Sequence, residues 1–100
     1  MKYNKLIRDK IPDHIRAKGG TPVFHVADEV EYWTKLKEKV LEEFEEFKAD
    51  ESVEEFADLM EVLMAIAEYK NFDPETVEKV RAEKVAKRGA FKERLILDES

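Results

Sequence analysis

The sequence predicts an all-α protein built on an antiparallel helical hairpin, with a four-helix-bundle-like core and a small two-stranded β ribbon. Two stretches, residues 29–48 and 52–70, repeat apolar residues at the spacing of amphipathic helices. Only residues 49–52 connect them, and so short a connection makes neighbouring helices antiparallel. The chain has 100 residues, of which 43% are hydrophobic, so we expect one folded domain over residues 1–100 and exclude a disordered chain.

A short helix and a short strand are expected before the hairpin. Pro12 suits the first turn of a helix over residues 11–18, and Gly19-Gly20 would end that helix. Residues 21–27 contain Val23, Phe24 and Val26, which favour a short strand. Asp28 is then the predicted N-cap of the first long helix.

A third long helix and a second strand are expected after the hairpin. Asp73 is its predicted N-cap, Pro74 occupies the first turn, and Gly89 ends the helix. Residues 91–97 have the composition of a strand and could pair with residues 22–26. A two-stranded ribbon is marginal alone, so it would have to lean on the helices.

Four carboxylates lie where amphipathicity does not explain them. Glu43 and Glu46 follow the edge of the apolar stripe of the first long helix. In the second helix Glu55 falls inside the apolar sector and Asp58 at its border. Folding the chain about its turn places Glu46 level with Glu55, and Glu43 level with Asp58. Carboxylates so close cannot all stay ionised without a counter-charge, and Mg²⁺, which characteristically binds together with phosphates, is the simplest one.

Simpler explanations exist for each of these residues. Charged residues make up 42% of the chain, so glutamate is expected at many angles by chance. Ser52 and Glu55 also fit a capping box, in which Glu55 serves the start of the helix. Glu43 and Glu46 could pair with Lys39 and other nearby lysines. For any one of these residues taken alone, the simpler explanation is favoured. The placement of all four carboxylates at matching heights along the two helices favours a shared site instead.

The third long helix shows the same anomaly with the opposite charge. Val77 and Val80 begin an apolar stripe, but Arg81, Lys84 and Arg88 continue in the same sector. Such a cationic row could contact phosphate oxygens. The alternative is that cations gather at the C-terminal end of a helix because its dipole favours them there.

Composition limits the classes of function. The net charge of −6 argues against general nucleic-acid binding. Cysteine is absent, so a disulfide framework and a thiol nucleophile are excluded. No apolar run approaches a membrane span and the first residues lack the core of a signal peptide, so a cytoplasmic protein is expected. The wide apolar helix faces suggest a homodimer or homotetramer, because a chain this short buries only a modest core.

Several motifs together resemble a known family. Residues 42–46 match an EExxE element and residues 55–58 an ExxD element, while residues 3–12 (YNKLIRDKIP) and 87–91 (KRGAF) give a narrower match. In these features the chain resembles the all-α nucleoside triphosphate pyrophosphatases, the MazG-like superfamily. Within it, the chain is most similar to a small single-domain branch thought to be house-cleaning enzymes for noncanonical nucleotides.

The resemblance implies hydrolysis of a nucleoside triphosphate to the monophosphate and pyrophosphate, with Mg²⁺ as cofactor and Mn²⁺ as a substitute. Its implied catalytic residues are Glu42 and Glu43, with Glu42 orienting or deprotonating water, although the helical rotation places Glu42 opposite the apolar stripe. The implied metal ligands are Glu43, Glu46, Glu55 and Asp58. The predicted phosphate contacts are Lys5, Arg8, Lys10, Lys39, Arg81, Lys84 and Arg88.

Three other functions remain open from the sequence. Phosphoribosyl-ATP pyrophosphohydrolase, of histidine biosynthesis, shares the architecture implied by the resemblance. Fewer residues separate Glu46 from Glu55 than in typical family members, which leaves the size of the substrate pocket open. A helical dimerisation or partner-binding module would use its acidic faces only for solubility, and a metal-binding protein without catalysis would bind Mg²⁺ but release no product.

Overall fold

The structure, a computed structural model, describes residues 3–100, and its regular secondary structure is helical. The helices are α1 (Ile11–Ala17), α2 (Glu29–Ala49), α3 (Val53–Tyr69) and α4 (Pro74–Arg88). The all-α prediction is confirmed, and each helix begins and ends close to its predicted bounds. In this part of the chain no helix is both long enough and apolar enough to span a membrane.

Each of the three long helices begins at a side-chain cap, as predicted. Asp28 accepts a hydrogen bond from the backbone N–H of Glu31 at 2.8 Å. Ser52 Oγ accepts one from Glu55 at 3.2 Å, and Asp73 Oδ2 accepts one from Thr76 at 3.0 Å. These bonds satisfy donors that have no partner inside the helix, so they fix where each helix starts.

Replacing the cap of α3 is expected to cost stability. Ser52→Ala leaves the N–H of Glu55 without its acceptor, so we expect the free energy of unfolding to fall by about 1 kcal/mol. Ser52→Asn keeps an acceptor at the same position and serves as the matched control. Urea denaturation measures both variants, and equal losses would show that the cap does not matter.

The core lies between α2 and α3, which pack as an antiparallel hairpin and are the only helices in residues 3–100 that pack extensively. Leu36 of α2 is 1% exposed, and Val62 of α3 is also buried. At the turn, the rings of Phe47 and Phe56 lie 6.0 Å apart. At the other end, Tyr32 meets Tyr69 at 5.6 Å. Aromatic contacts at both ends confirm the antiparallel register.

A segment before α1, residues 3–10, lies against the hairpin and is called the arm below. Lys35 Nζ donates a hydrogen bond to the backbone oxygen of Asn4 at 3.0 Å. Lys5 Nζ donates to Glu42 Oε1, also at 3.0 Å, and Pro12 is buried where the arm enters α1. The arm is therefore held to α2 although it has no regular secondary structure.

The predicted β ribbon is wrong for the described chain. Neither residues 21–27 nor residues 91–97 form a strand in the structure. Val23 and Phe91 are each 97% exposed, so neither segment has found a helix face against which to lean. Without that support a two-stranded ribbon does not bury enough surface to form.

The four-helix-bundle-like core is not complete in one copy, because one copy contributes only the α2–α3 hairpin. Every residue of α4 is exposed. The radius of gyration is 17.9 Å, against about 13 Å for a compact chain of this length. The chain is therefore much more extended than a folded domain of its size.

The hairpin also leaves a broad apolar surface uncovered on one side. At 100° per residue, the exposed apolar residues of α2 and α3 turn towards the same side of the hairpin. This surface is called the open face below and consists of Leu41, Phe44, Phe56, Met60, Leu63 and Met64. Carboxylates and the arm occupy the other side.

Candidate metal centre

Three carboxylates from the two hairpin helices meet at one point. Glu43 belongs to α2, and Glu55 and Asp58 belong to α3. Each offers one oxygen, and these oxygens lie within 4.8 Å of one another. The antiparallel packing produces this arrangement, because it brings Glu43 to the level of Asp58. We call these three residues the acidic cluster.

Two oxygens of the acidic cluster are buried and unsatisfied. Glu43 is only 7% exposed. In the described residues neither Glu43 Oε2 nor Glu55 Oε2 has a hydrogen-bond partner. A buried acceptor without a partner is costly and rare in folded proteins, so each such atom calls for an explanation. Unpartnered carboxylate oxygens are also the kind of ligand that hard divalent cations take.

The capping box does not account for Glu55. In that motif the glutamate side chain would accept a hydrogen bond from the backbone N–H of Ser52. Here the Ser52 N–H donates instead to the backbone oxygen of Asp50, at 2.8 Å. Ser52 therefore caps the helix alone, and the Glu55 side chain is left for the acidic cluster.

Pairing with Lys39 accounts for only part of Glu43. Lys39 Nζ lies 3.4 Å from Glu43 Oε1 and 3.4 Å from Glu42 Oε1. The lysine is thus shared between two carboxylates and faces only one oxygen of Glu43. The other oxygen, Oε2, is the buried one without a partner among residues 3–100.

The acidic cluster holds more negative charge than its surroundings neutralise. Burial raises the pKa of Glu55, and the charges of Glu46, Asp58 and Glu43 raise that pKa further. Glu46 itself is exposed and is not one of the three clustered residues. It contributes through its charge at a distance, so a cation bound in the cluster would also be attracted by Glu46.

Glu42 lies beside the cluster in a cationic environment. Burial alone would raise the pKa of Glu42, but the hydrogen bond from Lys5 and the charges of Lys39 and Lys5 outweigh burial and lower this pKa. Conversely, the hydrogen bond to Glu42 raises the pKa of Lys5. A carboxylate with a lowered pKa is a weaker base, which favours orienting water over deprotonating it.

The predicted phosphate contacts divide into two groups. Three of them lie at or beside the acidic cluster: Lys5 pairs with Glu42, Arg8 with Asp58, and Lys39 with Glu43. Lys10, the residue before α1, is exposed and belongs to neither group. The three predicted contacts on α4 belong to a helix that does not pack extensively on the hairpin, and Arg81 Nε donates to Glu78 of the same helix at 2.9 Å. One copy therefore does not bring Arg81, Lys84 and Arg88 to the cluster.

Helical periodicity missed the ion pairs of the arm. Lys5 reaches Glu42, and Arg8 Nη2 reaches Asp58 Oδ1 at 2.8 Å across 50 positions in the chain. Periodicity predicts which residues share a face of one helix, and it contains nothing about a non-helical segment. The one signal in the sequence was the resemblance of residues 3–12 to the family's decapeptide.

The class of protein defined so far is an all-α hairpin protein with a partly buried acidic cluster, and the comparisons with known proteins add little to it. No family model matches the chain, and no solved structure matches it. A 45-residue stretch is 47% identical to an uncharacterized protein of Mycolicibacterium smegmatis. That stretch covers 45% of this chain and 46% of the relative, so the match spans less than half of the relative's length.

Acidification is expected to stabilise the metal-free fold through Glu55. Its pKa is raised in the folded state, so the folded state takes up this proton before the unfolded state does. The free energy of unfolding therefore rises as pH falls through the folded pKa, and this gain is complete near the unfolded value of about 4.3. Glu42 acts in the opposite direction, because its pKa is lowered in the folded state. The stability that its ionised carboxylate contributes is lost as pH falls below the unfolded value of about 4.3 towards the folded pKa.

The measurement is the melting temperature without divalent ions at pH 7 and at about pH 4.3, where the gain is complete, for the parent chain and Glu55→Gln. We expect a smaller gain on acidification in Glu55→Gln, because the amide cannot take up the proton. The same pH dependence in both proteins would contradict the prediction.

Proposed function

We propose that this protein is a Mg²⁺-dependent nucleoside triphosphate pyrophosphohydrolase, which hydrolyses a triphosphate, in particular a noncanonical one, to the monophosphate and pyrophosphate. The observation that carries this proposal is the pair of buried oxygens, Glu43 Oε2 and Glu55 Oε2, beside Asp58 and without a hydrogen-bond partner among the described residues. The resemblance of the EExxE and ExxD elements supplies the reaction.

The residues of the acidic cluster suit a hard divalent cation. All three candidate ligands offer carboxylate oxygens, which Mg²⁺ prefers, and Mn²⁺ accepts the same donors. The three would hold the cation, with Glu46 adding negative charge nearby. When bound, the cation would neutralise phosphate oxygens and acidify water next to them. Lys5 and Lys39 would offset charge on the triphosphate, and Glu42 would orient the water.

The experiment is pyrophosphate release by the full chain from a panel of canonical and damaged nucleoside triphosphates, with and without Mg²⁺. Phosphoribosyl-ATP belongs in the panel, since release from it alone would identify the rival enzyme. We expect release that requires the metal and stops with a chelator. A helical interaction module would release nothing and would show no Mg²⁺-dependent gain in melting temperature, which a true site must show.

A second copy of the chain is part of this proposal, as a homodimer or homotetramer that completes a four-helix core. One copy exposes 9395 Å², against about 5,900 Å² for a compact protein of its mass. The open face contributes apolar surface to that excess. Charge complements it: α3 carries five acidic and no basic residues, whereas α4 carries five basic and three acidic ones.

Light scattering after size-exclusion chromatography tests the assembly at micromolar concentration. The parent chain is expected at twice or four times its mass. Leu63→Lys puts a charge in the centre of the open face and is expected to give a monomer. Glu61→Lys introduces the same side chain on the polar side of α3 and serves as the control. A monomeric parent chain would contradict this part of the proposal.

A further inference from the structure

Arg8 makes a long-range contact with one residue of the acidic cluster. Its Nη2 donates to Asp58 Oδ1 at 2.8 Å, joining the arm to α3. The two side chains are 59% and 41% exposed, so the pair is well solvated. Solvated ion pairs stabilise a fold very little. Stability therefore does not explain why the arm brings an arginine to this carboxylate.

The cations around the cluster share one pattern. Lys39 faces Oε1 of Glu43, and Arg8 faces Oδ1 of Asp58. In each carboxylate one oxygen meets a cation of the protein, while Glu43 Oε2 is left buried and unpartnered in the described structure. Ligating carboxylates in metal sites are themselves held by outer partners that fix their orientation. Arg8 and Lys39 occupy the positions of such outer partners, against Asp58 Oδ1 and Glu43 Oε1.

Arg8 is brought to Asp58 by an anchored segment. Lys5 pairs with Glu42 on one side of it in sequence, and Lys35 Nζ binds the backbone oxygen of Asn4. After Arg8 the chain enters α1 at Ile11, and Pro12 is buried. The arm is therefore fixed on both sides of Arg8, which limits the positions that its guanidinium can reach.

We propose that Arg8 is a positioning residue of the candidate metal centre: it holds one oxygen of Asp58 and leaves the other oxygen for the cation. This inference rests on the proposed function, and it differs from the phosphate contact that the sequence analysis predicts for Arg8. It also differs from the competing arrangement, in which the guanidinium merely occupies the place of the cation. The two arrangements predict opposite effects on the affinity for Mg²⁺.

The experiment is a Mg²⁺ titration of the full chain followed by calorimetry, with the metal alone as the probe. Arg8→Ala is expected to weaken Mg²⁺ binding about 10-fold, the usual effect of losing an outer partner. Arg8→Lys keeps the charge without the planar fork and is expected to fall between the parent chain and Arg8→Ala. Arg16→Ala removes a similar exposed pair, with Asp13 at 2.9 Å, and is the matched control.

A readout independent of the metal separates positioning from folding. Without Mg²⁺, the melting temperature of Arg8→Ala is expected to match that of Arg16→Ala. Tighter Mg²⁺ binding in Arg8→Ala would show that Arg8 competes with the cation. Unchanged binding would show that Arg8 does not position Asp58. Either result overturns this inference and leaves the proposed function standing. If the parent chain binds no Mg²⁺, the proposed function fails with it.

Discussion

Asp58→Asn is expected to abolish pyrophosphate release, and Glu43→Gln is expected to do the same. Each change keeps the shape of the side chain but removes a negative charge from the acidic cluster, where the oxygens lie within 4.8 Å of one another. We expect activity to fall more than about 100-fold, because the loss of an outer partner alone costs about 10- to 100-fold. The measurement is pyrophosphate release at saturating Mg²⁺.

The stability of Glu43→Gln should not fall together with its activity. Glu43 is buried with an unsatisfied oxygen, so without metal we expect Glu43→Gln to be at least as stable as the parent chain. It should lose the gain in melting temperature that Mg²⁺ provides. Glu61→Gln, an exposed change in α3, should keep both activity and the Mg²⁺ effect. Full activity in Asp58→Asn would exclude the proposed reaction at this site.

Leu36→Ala is expected to produce the largest loss of stability in the chain. Leu36 is 1% exposed and lies at the centre of a core that one hairpin builds almost alone. Truncating a buried leucine costs about 2–5 kcal/mol, whereas a whole domain is stable by about 5–15 kcal/mol. We therefore expect the unfolding midpoint in urea to fall sharply, with a substantial unfolded population in the absence of denaturant.

The matched control for this variant is Leu95→Ala. It makes the same chemical change at a side chain that is 83% exposed, so its free energy of unfolding should stay within about 0.5 kcal/mol of the parent value. Both proteins should be compared at one concentration, because the proposed assembly links stability to concentration. Equal effects of the two substitutions would mean that the hairpin core does not hold the fold together.

The helices and part of the candidate site could be predicted because their causes lie close together in the sequence. Asp28, Ser52 and Asp73 cap backbone donors three residues ahead, so each cap and its partner belong to one turn. The meeting of Glu43 with Asp58 needed only the length of the connection and an antiparallel turn. Both are local properties, and the structure agrees with both.

Predictions that depended on contacts between distant parts of the chain agree less well with the structure. The ribbon of residues 21–27 and 91–97 required a helix face to support it, and the structure offers none to either segment. Glu46 is level with Glu55 by rotation alone, yet it lies at the exposed edge of the hairpin, outside the cluster. Rotation about an axis gives an angle, whereas burial depends on how closely the two helices approach one another there.

The sequence by itself determined the four helices, their caps, the antiparallel hairpin and the meeting of Glu43 with Asp58 across it, because these follow from interactions within a few turns. Only the tertiary structure decided which oxygens are buried without partners, and that Lys5 and Arg8 reach Glu42 and Asp58. Such contacts join residues far apart in the chain. They depend on the path of a non-helical arm over the hairpin, which no periodic pattern records.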